Sequence, residues 1–187
     1  MPITGHGWEI HVVRLGLQIA GPDPKHQRTY GEYQVYRNGT AVADLKGNIC
    51  ECIGPGDRVV DSGHRVLPGH YPLWTQFEKF RTIGYSNDLQ HAGTPHMPGF
   101  RLEETGRSGI LIHPAHPPDL YLSSIGCLNP TKPLGRLDKV DFWDSRQRVI
   151  DLIDSLHAFA PSAFAKEEEV HIANAWAVID GEPNNVL

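Results

Sequence analysis

Apolar and polar positions follow a period of two through the first third of the chain, the spacing of half-buried strands. Trp8 to Ile19 (WEIHVVRLGLQI) alternates in part and predicts a first strand. Two prolines between Gly21 and Lys25 break it. Tyr30 to Arg37 (YGEYQVYR) sets Tyr and Val against polar neighbours, a second strand. Asn38-Gly39 follows, and a type I′ hairpin turn wants such a pair because both central residues take positive φ. Thr40 to Asp44 is then the partner strand, Ile49 to Ile53 continues or repeats the meander, and Gly54-Pro55-Gly56 ends it. Arg65 to Trp74 predicts a turn at Pro68-Gly69 leading into a strand. Glu78 to His96 shows no period and predicts a long loop with room for a short helix; loops of that length in compact domains are often functional.

The period changes once. From Asp138 to Phe159, apolar Phe142, Val149, Ile153, Leu156 and Ala160 recur at helical spacings, giving one buried face. Asp138 can cap the start of this helix and Pro161 stops it. Val170 to Ile179 predicts a last strand, with Ile172, Trp176 and Val178 available for packing, and the tail after Gly181 is expected to fray. Fifteen prolines and 19 glycines supply the turns of a loop-rich β fold. The expected architecture is therefore mainly β, an antiparallel meander or sandwich, with one long helix near the C-terminus. At 187 residues it is expected to form a single domain, its motifs at about 30–130 and its helix and last strand at 138–180.

Charge narrows the partners. The formal net charge of −5 comes with no basic stripe, which argues against nucleic acid. No run of 18 apolar residues is present to span a membrane. Met1 to Trp8 lacks a basic segment followed by an apolar one, so no secretory signal is visible. That leaves a cytoplasmic protein, or one that reaches the periplasm by a signal-independent route.

Candidate chemistry concentrates between Gly109 and Asn129, GILIHPAHPPDLYLSSIGCLN. Ile110 to Ile112 reads as a buried strand that delivers His113 at its end; Pro114, Pro117 and Pro118 then force a loop; Gly126 and Cys127 follow. A thiolate is a nucleophile, and a nearby imidazolium lowers the thiol pKa. Gly126 lets the backbone turn and a substrate approach, and N–H groups at Gly126 and Cys127 could face a developing oxyanion. The competing structural reading is a buried cysteine plus a strand-end histidine bonded to a loop carbonyl. Of the other two cysteines, Cys50 and Cys52 fall on one strand face and are expected to be packed thiols, which leaves Cys127 as the odd one.

Taken in order, these pieces resemble the catalytic domain of L,D-transpeptidases, bacterial cysteine enzymes that remodel peptidoglycan. The correspondence runs through Tyr33 to Ala43 for the hairpin, Leu67-Pro68-Gly69-His70-Tyr71, Leu111-Ile112-His113-Pro114, and Ser124-Ile125-Gly126-Cys127-Leu128-Asn129. It covers roughly residues 30 to 130; the chain is also similar to uncharacterised phage and bacterial proteins with Ile-Leu-Ile-His-Pro and a later Gly-Cys. The resemblance implies a mainly β catalytic domain that uses no cofactor and acts on peptidoglycan stem peptides through a thioester. It implies Cys127 as nucleophile and His113 as base, with Ser124 or a carbonyl holding the other imidazole nitrogen. The outcome is transpeptidation, D-amino-acid exchange or L,D-carboxypeptidation. Such an enzyme without an export signal implies a delivery apparatus, of a phage or secretion system, and with it an immunity partner.

Departures from the family pattern are specific. Ile125 stands where the family has a histidine, Pro114 where it has a glycine, and Asn129 where it has an arginine that meets the substrate carboxylate. Asn129 in that substrate-binding position implies a weaker grip on the donor, or a different donor whose carboxylate is met by Arg107 or Arg136, with His116 at the pocket rim. Two other function classes stay open. Eleven histidines, among them the His113/His116 pair, His64, His70, His91 and His96, allow a zinc hydrolase, although Pro114 rules out a helical H-x-x-H site. A non-enzymatic phage or secretion-system module is the third. Asp141, Asp144, Asp151 and Asp154 read as the wet face of the helix, and no phosphate-binding glycine loop is present.

Overall fold

The computed structural model describes residues 2–86 and 96–187. Ten strands and one helix run in the order β1 (Trp8–Ile19), β2 (Gln27–Arg37), β3 (Thr40–Glu51), β4 (Gly69–Trp74), β5 (Phe80–Arg81), β6 (Met97–Pro98), β7 (Phe100–Leu102), β8 (Ile110–Ile112), β9 (Asn129–Thr131), α1 (Phe142–Phe159) and β10 (His171–Asp180). The Asn38-Gly39 turn has φ of 48° and 77°, the doubly positive geometry its sequence predicts. Of the long loop predicted at 78–96, residues 80–81 pair with 97–98 as a small parallel ribbon, and 87–95, which include His91, lie outside the described residues.

Eight strands form a mixed sheet in the order β8-β7-β4-β10-β1-β2-β3-β9. This corrects the expected antiparallel meander or sandwich. After α1 the chain inserts β10 between β1 and β4, parallel to β1, with Trp8 opposite Ala175 and Val13 opposite Asp180. A period-two pattern cannot reveal which strand a distant segment joins, and a parallel partner needs a crossover such as α1. The sheet nearly closes on itself. Leu128, just before β9, pairs in parallel with Ile112 of β8, where Leu128 N–H donates to Leu111 O at 2.9 Å and His113 N–H donates to Leu128 O at 3.1 Å. This seam joins the histidine-bearing and cysteine-bearing segments.

One core cluster unites Trp8, Ile10 and Val12 of β1 with Phe100, Ile112 and Leu128 near the seam and Val149, Leu152, Ile153 and Leu156 of α1. Trp8 Nε1 donates to Ser155 Oγ at 2.9 Å, so its single polar atom is met inside the apolar contact. The helix is shorter than the pattern suggested: Asp141, not Asp138, is the N-cap, its carboxylate accepting from the N–H groups of Trp143 and Asp144. Asp138 instead closes the preceding turn by accepting from Gly135 N–H.

Along β1 the inward positions change character. Trp8, Ile10 and Val12 are followed by Arg14 and Gln18, all buried. Arg14 meets Glu51 in a two-pronged pair at 2.6 and 2.8 Å. Glu182 joins Arg14 at 3.3 Å to buried Arg65 at 2.7 Å. That carboxylate is why the C-terminal tail does not fray: Leu17 N–H then donates to Asn185 O, and Leu187 N–H to Leu17 O, each at 2.8 Å.

Candidate functional site

A cleft of about 740 Å³ lies over the seam, with Cys52, His113, His116, Ser124, Ile125 and Cys127 among its lining residues. Leu111 on β8 and His113 just after it both line the cleft, two residues apart. Across the seam, Cys127 lies beside Leu111 and Asn129 beside His113. Nucleophile and base candidates thus share one wall but sit one rung apart, roughly 6–7 Å along a strand by backbone rise.

His113 is 4% exposed. Its Nδ1 lies 2.8 Å from Pro114 O, and since a carbonyl only accepts, Nδ1 carries the proton. A backbone carbonyl, not Ser124, therefore holds that nitrogen. Nε2 is left with its lone pair and no hydrogen-bond partner among the described residues. The ring packs on Phe80 at a tilt of 32°, centroids 4.2 Å apart, and has His116 at 6.0 Å. Gly99 leaves room for this contact: a Cβ there would stand 3.0 Å from Phe80 Cβ and 3.5 Å from His113 Cβ. Burial pushes the His113 pKa down to about 3, with nearby positive charge at His116 and Lys79 adding to it and the Pro114 carbonyl opposing it.

Cys127 is 9% exposed. Its sulfur accepts from Leu111 N–H at 3.4 Å and donates to Gly109 O at 3.5 Å, substituting for backbone partners that the seam no longer supplies. No hydrogen bond joins it to His113. Burial pushes its thiol up to about 11, against a weaker pull from Leu111 N–H and Arg107. Burial thus favours the neutral form of both groups, against the thiolate–imidazolium pair expected from the sequence.

Ser124 shapes the cysteine turn. Its Oγ donates to Cys127 O at 2.6 Å and accepts from Gly126 N–H at 2.8 Å. It bonds neither His113 nor the sulfur of Cys127, and it occupies one of the two expected oxyanion donors. Cys127 N–H donates to no acceptor among the described residues and is the donor left over. Gly126 has φ of 146°, and a side chain there would collide with Arg107.

Three of the four expected substrate-binding residues are engaged elsewhere. Arg107, 7% exposed, donates to His64 O at 2.7 Å and Ile125 O at 2.6 Å, bracing the cysteine turn from behind. Asn129, 1% exposed, donates to His113 O at 3.0 Å and so positions the histidine strand. Arg136 donates to Ile19 O at 3.0 Å and does not line the cleft. His116 does line it, with Nδ1 3.0 Å from Pro117 O.

Cys52 was not foreseen here. β3 ends at Glu51, so strict alternation stops just before it: Cys50 packs with Tyr30, Ala115, Leu134 and Val140, while Cys52 lines the cleft and donates from Sγ to Ser124 O at 3.2 Å. Lys79 and Phe80 were hidden in a stretch with no period. The zinc reading meets a direct obstacle: among the described residues no three His, Cys, Asp or Glu side chains group where they could hold a metal. Among those residues no helix is long and apolar enough to cross a membrane. Comparison with family models, curated proteins and solved structures finds no match for the chain.

Proposed function

We propose that the chain is a cysteine-dependent acyl transferase acting on peptide substrates, with stem peptides of peptidoglycan as the substrate class its sequence resemblance names. The observation that supports this reading most is the seam. It sets Cys127 and a histidine with a fixed Nδ1–H and a free Nε2 on the same wall of a peptide-sized cleft.

The reaction starts from a neutral pair. Substrate entering the cleft draws the Cys127 sulfur off Leu111 N–H and toward His113, whose Nε2 takes the thiol proton as sulfur attacks the scissile carbonyl. A C–S bond forms, and the oxyanion is met by Cys127 N–H, a donor of the kind whose loss typically costs about 10²–10³ in rate. The C–N bond then breaks, the leaving amine takes its proton from His113, and a thioester remains. Water resolves it to a trimmed peptide; an amine resolves it to a cross-link or an exchanged amino acid. Desolvation favours the neutral histidine needed as base but disfavours the thiolate, so proton transfer has to be concerted with attack.

A second reading is favoured by one observation, the structural use of the sulfur at Leu111 and Gly109: a peptide-binding module in which Cys127 only closes the seam. One experiment separates the two. The protein is incubated with stem tetrapeptides, and adducts and products are followed by mass spectrometry for wild type, Cys127→Ala and His113→Gln. A thioester adduct in wild type that both variants lack supports the enzyme. Binding without any adduct, or turnover that persists in Cys127→Ala, refutes it.

A further inference from the structure

Among the described residues, the cleft has one lysine or arginine side chain that no carboxylate answers. Lys25 pairs with Asp119 at 3.4 Å on the rim, and His64 leans on Asp57 at 2.9 Å. Lys79 lines the cleft too, yet makes no ion pair with a described residue; its Nζ lies 5.7 Å from the Phe80 ring, and that ring is packed on His113. The loop carrying Lys79 is held at both ends. Thr82 N–H donates to Gln76 O at 2.8 Å, and Met97 N–H donates to Lys79 O at 3.2 Å. Thr82 Oγ1 accepts from Gln76 N–H at 2.8 Å and donates to Gly99 O at 2.9 Å. Its charge is thus presented from a fixed backbone, one aromatic ring away from the base.

We propose that Lys79 is the anion-recognising residue of this cleft, binding the free carboxylate of the substrate's C-terminal residue on the leaving-group side. This rests on the acyl-transfer reading and extends it. His113 returns its proton to the leaving amine, so the leaving residue lies at the His113 end of the cleft. The carboxylate of that residue is one carbon from the amine and needs a cation there. Arg107, Asn129 and Arg136 do not line the cleft, and each donates to a backbone carbonyl. Ile125, 61% exposed at the Cys127 end, offers only apolar contact. The cleft therefore has a polarity, with its unpaired lysine on the leaving-group side.

Binding is read by calorimetry on Cys127→Ser, which retains a hydrogen-bonding atom at the seam, using a stem tetrapeptide and the same peptide amidated at its C-terminus. The free acid is expected to bind about tenfold tighter than the amide at low salt, as a charge-assisted hydrogen bond provides. Adding Lys79→Gln erases the preference, and adding Lys79→Arg keeps it. Equal affinity for acid and amide, no binding of either, or a preference that survives Lys79→Gln overturns the proposal. The thioester assay on wild type is scored separately. A thioester formed equally from acid and amide removes the Lys79 subsite and leaves acyl transfer standing. A Lys79-dependent preference without any thioester removes acyl transfer and leaves the subsite.

Discussion

Two regions of the nearly closed sheet treat their buried polar groups differently. Around Arg14, two guanidinium groups meet two carboxylates, and Arg14 and Glu51 are essentially excluded from water. At the seam no charged pair is buried, and among the described residues His113 Nε2, Asn129 Oδ1 and Cys127 N–H have no hydrogen-bond partner. Paired charge holds strands and tail together, although Arg65 Nε stays buried without a partner among the described residues. A neutral, half-satisfied seam costs stability and keeps donors and a lone pair for an incoming group, as functional sites commonly do.

The charged network should give the largest stability effect. Glu51→Gln leaves the buried Arg14 sharing only Glu182, and breaking such a pair typically costs about 3–5 kcal/mol. Chemical denaturation should show that loss, with thioester formation by the remaining folded protein unchanged. A loss below about 1 kcal/mol would make the network no more than a surface ion pair in its effect.

At the seam the same kind of substitution should act on rate instead. His113→Gln removes the free lone pair while keeping a polar side chain, and thioester formation should fall by about 10²–10⁴, the usual contribution of a general base. Its melting temperature should move far less than that of Glu51→Gln. Equal acylation rates in wild type and His113→Gln would dissolve the contrast between the two regions.

How far the sequence reaches depends on the kind of interaction. Local signals were read well: the positive-φ turn at Asn38-Gly39, the strand at Trp8–Ile19, the amphipathic face through Val149 and Leu156. Long-range choices were not. Nothing in Val170 to Ile179 says that the strand lies parallel to β1, and nothing in Glu182 says that it reaches two buried arginines. In the site, the resemblance led to the expectation that His113 and Cys127 share one cleft within hydrogen-bond reach; both line it, but no hydrogen bond joins them. The partners of Ser124, Arg107, Asn129 and Arg136 could not be anticipated, because each is fixed by a backbone carbonyl or N–H whose position only the folded chain defines. Lys79 and Phe80 gave no signal for the same reason.

Acid should expose the neutral histidine. In the unfolded chain His113 titrates near its ordinary 6.5, and in the folded chain it does so at about 3. Between those values the unfolded state binds the extra proton, so this residue's contribution is fully present above 6.5 and is lost as pH falls toward 3. The slope is at most about 1.4 kcal/mol per pH unit. Carboxylates add their own acid dependence, so the measurement is the difference between wild type and His113→Gln in denaturation series over that window. Parallel curves would mean that His113 titrates in the folded chain as it does in the unfolded one, and that burial does not hold it neutral in acid.

The smallest effect separates the two roles of Cys127. Its sulfur satisfies Leu111 N–H and Gly109 O, so Cys127→Ala orphans two backbone groups at the seam and should destabilise by about 1–2 kcal/mol. Cys127→Ser keeps a donor and an acceptor, and should recover part of that loss. Activity should not follow stability: the serine hydroxyl ionises far less readily than the thiol, so Cys127→Ser should be as inert as Cys127→Ala in thioester or ester formation. Thiol reactivity makes the same point from the other side. With its pKa raised from 9.0 to about 11, the folded thiol holds about 10² less thiolate near pH 8 than an ordinary cysteine, and alkylation should be slow until the protein unfolds or substrate draws the sulfur away. Faster alkylation of Cys127 when a stem peptide is present would show that the sulfur leaves the seam on binding. If stem peptide leaves alkylation unchanged, and serine restores stability but not chemistry, the sulfur belongs to the fold and the cleft only binds.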